Sequence, residues 1–196
     1  KAQAKAGLGV WEWVSGKEAT QNPDVVLASA GDYITQEAML AVGICHEVVP
    51  ELKIRYVNVS ELTALGLGDY CSGDQVCLTQ SGMDQYFTKD RSVVFNYHGY
   101  VNDIEQILWG HADPKRFKIH GYKEEGSTTT PFDMMVVNEV SRYHVACSLV
   151  EEGAKFNKVV AGKKKKILQM IEKRLNEHRA YIEKFGDDMD HGKTIS

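Results

Sequence analysis

The side chains with the chemistry to bind an anion or move a proton gather at two copies of one triplet, His98-Gly99-Tyr100 and His120-Gly121-Tyr122. Each copy follows an apolar run with strand character, Ser92 to Tyr97 and Arg116 to His120. In open α/β sheets ligands bind beyond the carboxyl ends of the strands, so the residues just after each strand are where a site is expected. Imidazole and phenol groups on that edge could bind an anion or contact another domain. In the competing reading, glycine makes the exit from the strand while His and Tyr hydrogen-bond locally at a domain contact. That second reading is favoured, because position in a fold does not by itself establish function.

Tyr122 opens the densest polar stretch of the chain, which runs through Glu124, Gly126 and Thr129 to Pro131 and Asp133. It feeds a helix start, where free backbone N–H groups favour anions. A phosphate could sit there, but Thr130 as N-cap before Pro131, with Asp133 in the first turn, accounts for the same residues as a capping segment. The set singled out for effector binding or domain contact is therefore His98, Tyr100, His120, Tyr122, Glu124, Thr129 and Asp133. No residue is assigned a catalytic, cofactor-binding or metal-ligating role.

Other constellations are weaker. His144 and Cys147 lie three apart on one helix, but no second pair completes a four-ligand metal site and Cys147 falls on the apolar stripe. Cys45 and His46 are adjacent on a helix and point apart, which removes them as a nucleophile and base. Lys163 to Lys166 follow Gly162 without the Gly-x-x-x-x-Gly-Lys-Ser/Thr of a phosphate loop, and read as a solvated helix start. Gly7-Leu8-Gly9 and Gly66-Leu67-Gly68 each lack the third glycine of a dinucleotide fingerprint.

These groups need elements to hold them. Residues 1–23, with Trp11 and Trp13 among glycines, look like a connecting arm from a preceding domain rather than a regular element, and the folded unit is expected over 24–196. Val25-Val26-Leu27-Ala28-Ser29, ended by Gly31-Asp32, has the pattern of a strand buried on both faces. Thr35 is placed to cap a helix striped with Ala38, Ala41, Val42, Cys45 and Val49, which Pro50 stops. Lys53 to Val59 gives a second strand, and the runs before the two triplets give a third and a fourth. Between them come a Gly-rich excursion over 66–80, a helical turn at 83–87 and a helix over 101–109. Strands separated by helices imply right-handed crossovers and a mostly parallel sheet flanked by helices. A helix is expected from Pro131 to about Leu149, with Val136, Val140, Tyr143, Cys147 and Val150 inward. A last amphipathic helix near 163–185 carries Leu168, Ile171, Leu175, His178, Ile182 and Phe185 on its apolar stripe and ends at Gly186.

A chain of 196 residues with 43% hydrophobic content can bury roughly 70% of its unfolded surface, which excludes disordered and collagen-like classes. The net charge of −4 argues against a nucleic-acid partner. The longest uncharged stretch, Ser92 to Asn102, contains Asn96, His98 and Gly99 and falls short of the ~20 apolar residues of a membrane span. The first residues lack a secretory apolar region and do not begin with Met, so the chain reads as a cytoplasmic fragment of something longer. Cys45, Cys71, Cys77 and Cys147 contain no Cys-x-x-Cys pair and are expected to be reduced thiols.

The run from His120-Gly121-Tyr122-Lys123-Glu124-Glu125-Gly126 through Ser127-Thr128-Thr129-Thr130-Pro131-Phe132-Asp133-Met134, continued by Ser141-Arg142-Tyr143-His144, closely resembles the C-terminal domain of xylulose-5-phosphate/fructose-6-phosphate phosphoketolases. Further resemblance lies in Gly7-Leu8-Gly9-Val10-Trp11-Glu12-Trp13, Ala30-Gly31-Asp32, Pro50 to Val59, Phe95 to Tyr100 and Glu183 to Met189, together nearly the whole chain in order. The resemblance implies a transketolase-like C-terminal domain. It also implies a homodimeric enzyme in which thiamine diphosphate and Mg²⁺ serve cleavage of a ketose phosphate with inorganic phosphate, giving acetyl phosphate and an aldose phosphate. The family's cofactor and catalytic residues belong to its preceding domains, so this chain is expected to be an accessory domain that binds no cofactor. The alternative is an autonomous module that takes a phosphorylated metabolite or nucleotide effector at the His98/His120 edge.

Overall fold

The computed structural model describes residues 2–66, 77–123 and 129–189. Five strands form one sheet: β1 (Leu8–Val10), β2 (Val25–Ala30), β3 (Ile54–Val59), β4 (Val93–Tyr100) and β5 (Phe117–Tyr122), in the order β1-β3-β2-β4-β5. β2 is parallel to both β3 and β4, and β4 is parallel to β5, while β1 is antiparallel to β3 at one edge. The sheet is thus mixed but mostly parallel.

All six residues of β2 are buried, as its unbroken apolar run predicts for a central strand covered on both faces. Alternate residues feed two cores. Val25, Leu27, Ile54, Tyr56 and Val94 face α4 (Asp32–Val48), α8 (Arg142–Gly153) and α9 (Lys158–Phe185). Val26, Ala28, Val57, Val93 and Phe95 face α5 (Gln80–Phe87) and α6 (Val101–Leu108). Full burial of each Val, Leu, Ile or Phe among them is worth about 1.5–3 kcal/mol, so the two layers hold the strand ends firmly in register.

Several expectations need correction. Residues 1–23 are not free of regular structure: they form α1 (Ala2–Ala6), β1, α2 (Glu12–Ser15) and α3 (Lys17–Gln21). Leu8 is buried in the second core, and the Ser15 hydroxyl accepts the Tyr56 N–H at 2.8 Å. The isolated glycines hid a three-residue strand too short to show alternation. Thr35 does not cap α4, which starts at Asp32 after Gly31 with φ +110°; the Thr35 hydroxyl instead lies 3.0 Å from Ser29 Oγ. β4 and β5 run through both triplets, because ladder bonding continues past the last apolar residue.

The helix expected from Pro131 to Leu149 is two helices, α7 (Pro131–Val137) and α8. Asn138 turns its amide back onto the Met134 carbonyl at 2.9 Å, and Glu139 takes a left-handed φ of +59°, so the chain changes direction there. Thr130 caps α7 as the sequence predicts, accepting the Asp133 N–H at 3.1 Å, with Pro131 in the first turn. α9 begins five residues earlier than expected because Asn157 caps it, accepting from Val159 and Val160. Cys45 and Cys147 are free thiols, but Cys77 is disulfide-bonded, against the expectation that all four are reduced. No helix among the described residues is long and apolar enough to cross a membrane.

Candidate functional site

Strand order reverses between β2 and β4, so the crevice of this sheet lies where Gly31 leaves β2 and His98 ends β4. The crevice is closed at that point. A Cβ on Gly31 would lie 2.4 Å from the His98 Cβ, so only glycine, with its positive φ, lets the two strand ends meet. The exposed His98 ring packs against Tyr122 with centroids 5.4 Å apart, and Tyr100 stands opposite Tyr122 in the β4–β5 register. Burial raises the Tyr122 phenol above its ordinary pKa.

His120 points away from this cluster, onto the face covered by α8. Its Nδ1 lies 2.8 Å from the Glu139 carbonyl and its Nε2 2.8 Å from Ser148 Oγ. A carbonyl only accepts, so Nδ1 carries the proton and Nε2 accepts from the serine hydroxyl. Burial above all lowers the His120 pKa, to about 4, while the hydrogen bond to the Glu139 carbonyl opposes it. The ring is neutral and fully engaged. Nearby, the hydrogen bond from Lys123 holds the Glu139 carboxyl low, and burial lowers His144, whose Nδ1 lies 2.8 Å from Ser141 Oγ.

At the start of α7 the Thr129 hydroxyl donates to Asp133 Oδ2 at 2.7 Å, so these two satisfy one another. Glu124 lies outside the described residues. Of the seven residues singled out, the structure therefore brings His98, Tyr100 and Tyr122 together, and turns His120, Thr129 and Asp133 toward local packing and capping. His144 and Cys147 form no metal site: no group of three or more His, Cys, Asp or Glu among the described residues could hold an ion. Burial pushes the Cys147 thiol up to about 11.

Across the whole chain, residues 1–196 match the family model described as the XFP C-terminal domain. The chain belongs to that family. An XFP C-terminal domain is what the 120–144 run and the other matching segments resemble, and curated relatives agree. The chain is 41% identical over 188 residues to "Probable phosphoketolase 2" of Rhizobium meliloti (strain 1021), covering 96% of this chain and 23% of the relative. It is 40% identical over 185 residues to "Probable phosphoketolase" of Chlorobaculum tepidum, covering 94% and 22%. The chain thus spans under a quarter of the length of these relatives. Among solved structures, "Transketolase from Leishmania mexicana" superposes with a TM-score of 0.50 at 14% identity, over 79% of this chain and 19% of that one, which supports the fold.

The XFP C-terminal domain also carries a polar chain that sequence reasoning missed. Trp11 donates to Gln3 at 2.9 Å, Gln3 to Asn58 at 2.7 Å and Asn58 to Thr35 at 3.4 Å. The Thr35 hydroxyl meets Ser29, whose Oγ lies 2.5 Å from the buried Tyr56 hydroxyl. One signal was available: Ser29 interrupts the apolar run of β2 and Asn58 that of Tyr56 to Val59, and buried polar groups need partners. Glu139 and Ser148 gave no signal, since their role depends on the turn between α7 and α8.

Proposed function

We propose that this chain is the C-terminal accessory domain of a cytoplasmic, homodimeric phosphoketolase, the 1–23 segment entering from a preceding domain. The full polypeptide would cleave xylulose 5-phosphate or fructose 6-phosphate with inorganic phosphate, yielding acetyl phosphate and an aldose phosphate. The observation that carries this reading is the match at about 40% identity, over almost the entire chain, to relatives named phosphoketolase that are several times longer.

The chemistry of such a lyase comes from thiamine diphosphate with Mg²⁺, and the donor set at the strand-end edge does not fit that pair. Asp133 is held by Thr129, Glu139 by Lys123, and His120 by Glu139 and Ser148, while Asp32 and Asp103 head separate helices, so among the described residues no group of carboxylates converges for a hard cation. We therefore assign the cofactor and the catalytic residues to the preceding domains. This domain supports assembly, with His98, Tyr100 and Tyr122 as contact residues.

The test is an acetyl phosphate assay with thiamine diphosphate, Mg²⁺, phosphate and fructose 6-phosphate. The full-length polypeptide should turn over and the 196-residue chain should give only background. Steady acetyl phosphate production by the 196-residue chain alone would overturn the accessory role.

A further inference from the structure

We propose that the carboxyl edge of the sheet is the surface on which the preceding part of the same polypeptide docks, with Tyr33 and Tyr100 as apolar anchors inside an acidic rim of Asp32 and Asp103. This rests on reading the chain as the C-terminal domain of a longer protein. Tyr33 is 59% and Tyr100 47% exposed, unusual for large aromatics, and aromatics are the residues that anchor interfaces. Each lies two residues past the point where Gly31 touches His98, so both sit on the one edge, within a few ångströms of chain.

The chain itself arrives at this edge. Gln3 donates to Asn58 near the end of β3, and the Gly7 carbonyl accepts the N–H groups of Ser60 at 2.9 Å and Glu61 at 2.8 Å. β3, β2 and β4 are successive neighbours, so Asn58, which holds Gln3, lies two strand spacings, roughly 10 Å, from β4. The matched segment is only 22–23% of the relatives' length, and a C-terminal domain has the rest of its polypeptide before it.

Charge defines the complementary surface. Asp32 and Asp103 occupy the first turns of α4 and α6, both exposed, and neither joins an ion pair among the described residues. The docking face should present an apolar patch rimmed by Lys or Arg, since complementary charge fixes orientation.

Hydroxyl-radical footprinting of the full-length protein tests this, with Trp109 as reference: it is 85% exposed and ends α6, which runs away from this edge. Tyr33 and Tyr100 should react about fivefold more slowly than their exposure predicts relative to Trp109, as for residues in the dry centre of an interface. Reaction at the rate their exposure predicts overturns the proposal. Photocrosslinking from p-benzoylphenylalanine at position 100 identifies the occupant. Attachment within one polypeptide to residues preceding this domain supports the proposal; a product of doubled mass on a denaturing gel, meaning another copy, overturns it. Both readouts are independent of catalysis. A full-length protein that protects both tyrosines yet makes no acetyl phosphate would refute the lyase reading and leave the docking edge standing.

Discussion

His120 shows how a side chain suited to catalysis is committed to packing. Both ring nitrogens are engaged, by Glu139 and Ser148, and the pKa falls to about 4 from 6.5. A histidine with a depressed folded-state pKa binds more protons when unfolded. Its contribution is present above about pH 6.5 and is lost as pH falls toward 4. Burial also lowers His144 and His46, so they act in the same direction. Between pH 7 and pH 5, His120 alone should cost about 2 kcal/mol of stability. Chemical denaturation of the wild type and of His120→Asn at both pH values measures this, and the variant should lose less on acidification. Equal losses in the two proteins would place the proton uptake elsewhere. The buried pair of Glu37 with Arg142 differs, because Arg142 donates from Nε at 2.9 Å and from its backbone N–H at 2.7 Å, fixing α8 against α4.

At the scale of elements, the meeting of β2, α4 and β4 depends on one glycine. Gly31→Ala should destabilise strongly, by about 2–4 kcal/mol, combining a strained positive φ with a clash between the new Cβ and that of His98. Because the contact is with the His98 Cβ, His98→Ala should not rescue it, whereas His98→Gly should recover part of the loss. Thermal unfolding of the three variants decides this; full rescue by His98→Ala would mean the ring, not Cβ, sets the spacing. The strands and helices were legible because burial on two faces writes continuous apolar runs, as in β2, and because Thr130-Pro131 is a strong local start signal. β1 was illegible because three residues show no period. The α7–α8 break was illegible because the stripe of Val136, Val140 and Tyr143 stays buried across it. The apolar pattern reports the core and is silent about Glu139. The site was legible only by location: the strand-end residues were found, but the placing of Tyr100 opposite Tyr122, where an unshifted ladder would put only His98, depends on the bulge between Asn96 and Tyr100.

Over the whole molecule, α9 works as a brace between distant parts of the chain. At its start, Asn157 donates to Asp24 at 2.9 Å and to the Glu51 carbonyl at 3.0 Å, pinning the helix below β2. Past its end, Gly186 takes the left-handed conformation that turns the chain back, and Asp188 accepts the Phe132 N–H at 3.2 Å. His178 stacks on Phe132 with centroids 3.8 Å apart, and its Nε2 accepts the Met189 N–H at 3.4 Å. The first turn of α7 is thus held by residues 46 and 56 positions away, and α7 follows directly on the polar loop after β5. Asp188→Ala removes an acceptor from a helix N-terminus, a change worth about 1 kcal/mol. The loss should be local, because α7 has only seven residues and β2–β4 are held by both cores. Hydrogen exchange should therefore speed up by about fivefold at Phe132 to Met135, as 1 kcal/mol implies, while β2 amides keep their protection. Equal acceleration in β2 would show that α7 opens only when the entire domain unfolds, and α9 would then be part of one cooperative core rather than a clasp on the loop.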